Sequence, residues 1–215
     1  KIEAQVLVDT LNQHGLSLVA SHTGGNIEET ASGRDQNILE GILDYLHVTR
    51  TPILNYSGLR NENALQLHRD IDTLSHAAEK CRQQGIHFCY HNHYWEMEEE
   101  TLIMRALLND ASPSLGFCPD VGWIAKGGGD LWAVLEMLKE RTHIVHLKDF
   151  ASTTPIKEGS LDTVEFGKGV VPLSDTISWV KENLSTACVV AEQDYSNLPP
   201  NDAVRQNASF VRNHL

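Results

Sequence analysis

Four short stretches of the chain end in side chains that bind metal ions or move protons. They are "YHNHYWE" with His91, His93 and Glu96, "CPDVGW" with Asp120, "VHLKD" with His146 and Lys148, and "VVAEQD" with Glu192 and Asp194. Each closes an apolar run of strand length. His91 to Asp120 and Asp120 to His146 span 29 and 26 residues, each about one strand-helix unit, so ligand-type residues recur once per unit. Imidazole mixed with carboxylate suits a hard or borderline divalent ion (Mn²⁺, Mg²⁺, Co²⁺ or Zn²⁺), while thiolate-seeking metals are disfavoured. Burying such carboxylates at one centre without a cation would cost several kcal/mol. One divalent metal ion is therefore expected.

Strand side chains alternate faces, which predicts that His91 and His93 point one way together, as do His146 with Lys148 and Glu192 with Asp194. Lys148 is placed either to polarise a substrate oxygen or to pair with Asp149 or a neighbouring strand's carboxylate. Glu96 reads as a substrate-binding carboxylate, a metal ligand, or the head of the acidic run "EMEEE" at a helix N-terminus. Trp95 and Trp123 follow the ligand positions and would wall a sugar pocket, while Trp132 and Trp179 fall in helical pattern and are expected in the core. His14, His47, His68, His76 and His214 read as surface residues. Of the four cysteines, Cys89, Cys118 and Cys188 lie in runs read as buried strands. With no CxxC pairing and no zinc-finger spacing, they read as small buried hydrophobes in a reducing compartment.

Six apolar runs carry these groups: 16–22, 52–58, 86–93, 115–123, 143–150 and 188–194. Between them, "ILEGILDYLH" (38–47), "ALQLHRDIDTLSHAAEKC" (64–81), "ETLIMRALL" (100–108), "LWAVLEMLKE" (131–140) and "TISWVKENL" (176–184) repeat apolar residues at three- and four-residue intervals. Gly15 and Gly85 stand where a helix C-terminus favours positive φ. Strand alternating with helix predicts a parallel sheet with helical crossovers. An open sheet collects ligand groups from two or three strands, whereas a barrel converges all its strand ends on one mouth. Four contributing strands favour a (β/α)8 TIM barrel, read as a single domain over 1–215. Six strands are two short of eight, so a first strand, a helix and a second strand are expected to be missing before residue 1. The stretch 151–170, inserted between two ligand-bearing strands, reads as a lid or substrate loop. "KGGGD" (126–130) reads as a βα loop able to approach a substrate.

The composition narrows the partners. Seventeen basic against 29 acidic residues give a net charge of −12 over 215 residues, which offers no footprint for a phosphate backbone. No apolar run approaches a membrane span, and "KIEAQVLVDTLNQHG" looks like an amphipathic helix rather than a signal peptide. No nucleic acid, no membrane and a cytoplasmic location are expected, with homo-oligomerisation left open.

Taken in order, "YHNHYWE", "CPDVGW", "VHLKD" and "VVAEQD" resemble the sugar phosphate isomerase/epimerase superfamily, the xylose isomerase-like TIM barrels that include inosose dehydratase and hydroxypyruvate isomerase; "FGKGVV" (166–171) resembles their Gly-rich segment before the last strand. The resemblance implies a full barrel and a metal ion held by Glu, Asp, His and Glu. Asp120, His146 and Glu192 match the last three. His91 stands where relatives carry the first Glu, so either His91 ligates or Glu96 reaches back. Trp123 stands where many relatives have a substrate-contacting His. The expected function is a divalent-metal-dependent isomerase or epimerase of a ketose or related keto-sugar, acting by proton transfer through an enediolate. Glu192 would be ligand and base, His93 or Glu96 would handle the second proton, and His93, Trp123, Lys148 and Trp95 would contact substrate. An inosose-type dehydratase or 3-keto-glycoside lyase on the same site, and a non-catalytic sugar-binding barrel, are the alternatives. Metal-dependent phosphodiester cleavage is disfavoured by the charge.

Overall fold

The computed structural model describes residues 2–24, 36–59, 64–154, 162–184 and 186–215, with the side chains of 36, 37, 99 and 100 left out. It divides into two compact units, residues 1–91 with 106–117 and residues 92–105 with 118–215.

The first unit contains α1 (Ala4–Gln13), β1 (Ser21–Gly24), α2 (Gln36–Thr49), β2 (Ile53–Ser57), α3 (Ala64–Gln83) and β3 (His87–His91). With β4 (Leu115–Cys118) the strands form a sheet in sequential order, β1-β2-β3-β4. Registers such as His22 to Asn55 to Cys89 run parallel. The spacing of Leu39, Leu43 and Leu46 on α2, and of Ile71, Leu74, Ala78 and Cys81 on α3, puts each set on one helix face, and all are buried. Each fully buried Leu or Ile contributes roughly 1.5–3 kcal/mol. All five residues of β2 are buried, as a sheet covered on both faces requires. The amphipathic α1 buries no residue. Gly15 and Gly85 do take φ of 64° and 73°.

The second unit contains a 3₁₀ turn (Trp95–Met97), α4 (Glu98–Asp110, which continues into the first unit), α5 (Val121–Lys126), α6 (Leu131–Leu138), β5 (Ile144–Leu147), β6 (Asp149–Phe150), β7 (Thr163–Val164), α7 (Leu173–Asn183), β8 (Cys188–Ala191) and α8 (Pro200–His214). Strands β5 and β8 pair in parallel, and β6 and β7 form a short antiparallel ribbon. Part of the stretch expected to be a lid, residues 155–161, lies outside the described residues.

Three expectations are corrected here. The run 115–123 is not one strand: it breaks after Cys118, and Asp120 caps α5. Cys188 is exposed rather than buried, because β8 is bonded to one strand, β5, among the described residues and its other residues are at most half-buried. Trp132 is 40% exposed, since the buried face of α6 is Leu131, Val134, Leu135 and Leu138. Among the described residues no helix is long and apolar enough to cross a membrane.

Candidate active site

Backbone ladders hold the acidic and imidazole groups at the strand ends of the second unit. Asp120 is gripped at its main chain by Asn92, whose Oδ1 accepts the Asp120 N–H at 3.0 Å and whose Nδ2 donates to the Asp120 carbonyl at 3.4 Å. Asp120 forms a parallel bridge with His146, whose own N–H donates to the Pro119 carbonyl at 2.9 Å. Glu192 is tied to the end of β5 by its N–H to the Leu147 carbonyl at 2.9 Å. Helix α5 begins so close to β5 that a Cβ on Gly122 would lie 2.6 Å from the Lys148 carbonyl oxygen. Only glycine lets the "DVGW" turn approach that strand.

This brings ligand atoms of Asp120, His146 and Glu192 within 4.8 Å of one another. Nδ1 of His146 is hydrogen-bonded to Oε2 of Glu192. The Lys148 ammonium sits among three carboxylates, 2.8 Å from Asp194, 3.1 Å from Glu192 and 3.4 Å from Asp120, and 4.6 Å from the centre of the Trp123 ring. Burial alone would lower the pKa of Lys148, but Asp120, Glu192 and Asp194 outweigh it and the group is held above its usual value, charged. Burial raises the Asp120 carboxyl to about 6 against the lowering pull of Lys148.

Asp120 Oδ1 accepts the Trp123 N–H at 2.9 Å, whereas the buried Oδ2 accepts no hydrogen bond. A fully buried carboxylate oxygen that accepts no hydrogen bond and faces the Lys148 ammonium at 3.4 Å, next to an imidazole and a second carboxylate, has the chemistry of a divalent-cation site. The residues present fit the metal ion that the sequence implies.

Two of the three pairs expected to share a face do so. His146 and Lys148 both reach Glu192, and Glu192 and Asp194 both reach Lys148. The expectation fails for His91 and His93, because β3 ends at His91. The His93 N–H donates to Glu96 Oε2 at 2.8 Å, and the chain turns into the 3₁₀ segment rather than continuing the pleat. His91 is the buried last residue of β3, its ring 5.2 Å from that of His22 in an edge contact. His93 stacks on Trp95 with ring centres 4.4 Å apart and planes 7° apart, and lies 5.8 Å from the Trp123 ring. Glu96 is fully buried.

Lys148 does not pair with Asp149, which points the other way. Its carboxylate accepts N–H groups from Phe150, Gly167, Gly169 and Val171 at 3.0, 2.9, 3.0 and 3.2 Å. That is the structural reason for "FGKGVV": a Cβ on Gly169 would overlap the Asp149 carboxylate. In "KGGGD", Lys126 is buried and donates to the Ser152 carbonyl and to Asp162, both at 2.8 Å, and Asp130 caps α6. Asp194, which the sequence groups with Glu192 without giving it a role, is the third carboxylate on Lys148. Its period-two spacing from Glu192 was the signal for it.

The chain belongs to the xylose isomerase-like TIM barrel family, whose profile matches residues 1–214. No curated protein matches it. Among solved structures it is similar to a sugar phosphate isomerase/epimerase from Parabacteroides distasonis (TM-score 0.80, 18% identity, 97% of this chain and 77% of that one). It is also similar to the probable 3-DHS dehydratase AsbF of Bacillus anthracis (0.77, 14%, 97% and 82%), and to the IolI protein with a zinc atom bound (0.72, 16%, 100% and 82%). At these identities the likeness establishes the α/β barrel fold, which the family assignment shares.

Proposed function

We propose that the chain is a divalent-metal-dependent isomerase or epimerase of a ketose or related keto-sugar. The observation that carries this reading is the convergence of Asp120, His146 and Glu192 donor atoms within 4.8 Å, from the cap of α5, from β5 and from the end of β8. These three would hold the ion. His91 is proposed as the fourth ligand from the sequence pattern, as the residue directly before the Asn92 that grips Asp120. When bound, the ion supplies electrostatic stabilisation for negative charge developing on neighbouring substrate oxygens.

The protein's own groups do the rest. The Glu192 carboxylate, oriented by His146 and Lys148, takes the proton from the carbon beside the carbonyl. His93, its ring fixed by the Trp95 stack and its main chain by Glu96, returns a proton to the neighbouring carbon or the opposite face. Lys148, kept charged by its three carboxylates, donates to a substrate oxygen, and Trp123 and Trp95 wall the sugar. Asp120 Oδ1 stays with the Trp123 N–H, so Oδ2 is the oxygen left for the ion.

The test combines elemental analysis of purified protein, melting temperature with and without chelator, and exchange of sugar C–H protons in deuterated water over a ketose panel. Stoichiometric metal that stabilises the fold, with exchange at the carbon beside the carbonyl, is the expected result. A chain that takes up no divalent ion under any loading condition sinks the reading.

A further inference from the structure

The Lys148 ammonium and the proposed ion claim the same oxygen. Lys148 is 1% exposed, and its Nζ stands 3.4 Å from Asp120 Oδ2, the buried oxygen that accepts no hydrogen bond. The same Nζ pairs with Glu192 at 3.1 Å and with Asp194 at 2.8 Å. Asp120 and Glu192 belong to the group of ligand atoms within 4.8 Å of one another, and Asp194 stands outside it. Resting on the metal-site part of the proposed function, we infer that Lys148 is the site's built-in counter-cation, competing with the divalent ion for Asp120. Asp194 is then the positioning residue that holds the lysine aside when the ion enters.

Charge sets up the competition. Three carboxylates against one ammonium leave the cluster negative, which draws a divalent ion. An ammonium already facing Asp120 Oδ2 opposes that ion, because like charges repel strongly where water does not screen them. Taking the lysine out of the cluster altogether would leave Asp194 without its cation, and breaking a buried pair in that way is costly.

The three pairs are graded so that a small shift suffices. Lys148 donates to Glu192 and is closest to Asp194, whereas its approach to Asp120 carries no hydrogen bond. Asp120 is therefore the partner that the ammonium can leave without losing a hydrogen bond. The Lys148 main chain cannot follow, since α5 abuts it at Gly122, so the movement belongs to the flexible four-carbon stem. The Trp123 ring, 4.6 Å from Nζ, gives the ammonium an attractive surface throughout. Glu192 keeps its orienting contact with the lysine, and Asp194 supplies the negative charge that Asp120 gives up to the ion.

The experiment is calorimetric titration of the full chain with Mn²⁺ at about pH 8, with circular dichroism of each variant to confirm the fold. Lys148→Gln removes the competing charge and should bind Mn²⁺ at least fivefold tighter than wild type; equal or weaker binding by the folded variant overturns the inference. Asp194→Asn leaves the lysine without its holder and should bind at least fivefold weaker, with most of the loss recovered in Asp194→Glu. Combined with Lys148→Gln, the Asp194→Asn change should cost at least threefold less than it does alone. An equal cost in both backgrounds would make Asp194 a distant charge that does not act through Lys148, and the positioning role falls. If Lys148→Gln does not fold, the Asp194 variants decide: a loss below twofold in Asp194→Asn, or no recovery in Asp194→Glu, overturns the inference. A wild-type chain that binds no Mn²⁺, Mg²⁺, Co²⁺ or Zn²⁺ sinks the metal site and the inference together. Affinities that shift as expected while no ketose exchanges its C–H proton leave the counter-cation standing and remove the isomerase reading.

Discussion

Asp120 and Asp149 are both buried carboxylates near the end of β5, with 0% and 1% exposure, and they are solvated in opposite ways. Asp149 receives four backbone N–H groups and organises the segment 167–171. Asp120 receives one N–H on one oxygen, while the other faces a lysine at 3.4 Å with no hydrogen bond. A buried acid saturated by donors is part of the scaffold. One left short of hydrogen-bond donors, with an ammonium alone facing its second oxygen, keeps acceptor capacity that a cation can use.

The largest effect that would separate the two is on chemistry. Asp120→Asn keeps the cap to Trp123 and the shape but removes the charge. Sugar C–H exchange should fall at least ~10³-fold, about 4 kcal/mol of barrier, while the metal-free protein becomes more stable near neutral pH, by up to about 3 kcal/mol, because Asn carries no charge to bury. An exchange rate within tenfold of wild type would place Asp120 with the scaffold acids. Asp149→Ala should do the converse, leaving four N–H groups without their acceptor and costing about 3–4 kcal/mol of stability in denaturant unfolding. A loss below about 1 kcal/mol would mean that the 167–171 segment is held by something else.

This division was only half legible in the sequence. Ligand-type residues closing successive apolar runs placed Asp120, His146 and Glu192 among the candidates, because side-chain alternation is local, and the family resemblance singled these three out as ligands. Long helices such as 64–83 announced themselves by apolar periodicity. The role of Asp149 was hidden, since its partners lie about twenty residues away and are backbone groups that carry no sequence signature. Helix α5 was missed because "CPDVGW" is short and apolar, and such runs read equally as strand. Helix α8 was missed because only Ala203 and Asn207 of its residues are buried, too few for a stripe. The turn at His93 includes a main-chain bond to the Glu96 carboxylate that periodicity does not register.

Proton linkage offers a smaller and reversible handle. Burial holds the Asp120 carboxyl at about 6 instead of its ordinary 3.8, so between about pH 4 and 6 the folded chain keeps a proton that the unfolded chain has released. Stability of the metal-free protein should therefore fall as pH rises through that window, by up to about 3 kcal/mol. Glu79, held at about 2 chiefly by Arg82, and Glu165, held at about 2 chiefly by Ser196, act oppositely. Their stabilisation is present above about pH 4.5 and is lost as pH falls toward 2. Chelator-treated wild type minus Asp120→Asn isolates the first trend. A difference curve flat from pH 4 to 6 would show that Asp120 is not the strained acid of the pair.

Glu96 gives the smallest expected change and decides to which class a third buried acid belongs. One of its oxygens accepts the His93 N–H, the kind of backbone partnership that marks Asp149. Gln presents a carbonyl oxygen of the same size in the same place, so Glu96→Gln should preserve that bond. Exchange should then change by less than about threefold and stability by less than about 0.5 kcal/mol, because a neutral acceptor replaces a charged one without leaving the donor bare. Glu96→Ala would remove the acceptor, release the turn that carries His93, and cost more than the Gln variant in both measurements. If Glu96→Gln instead lowers exchange 100-fold while stability holds, the charge itself takes part in the chemistry. Glu96, rather than His93, would then handle the second proton, and the His93 stack on Trp95 would be a wall for the sugar.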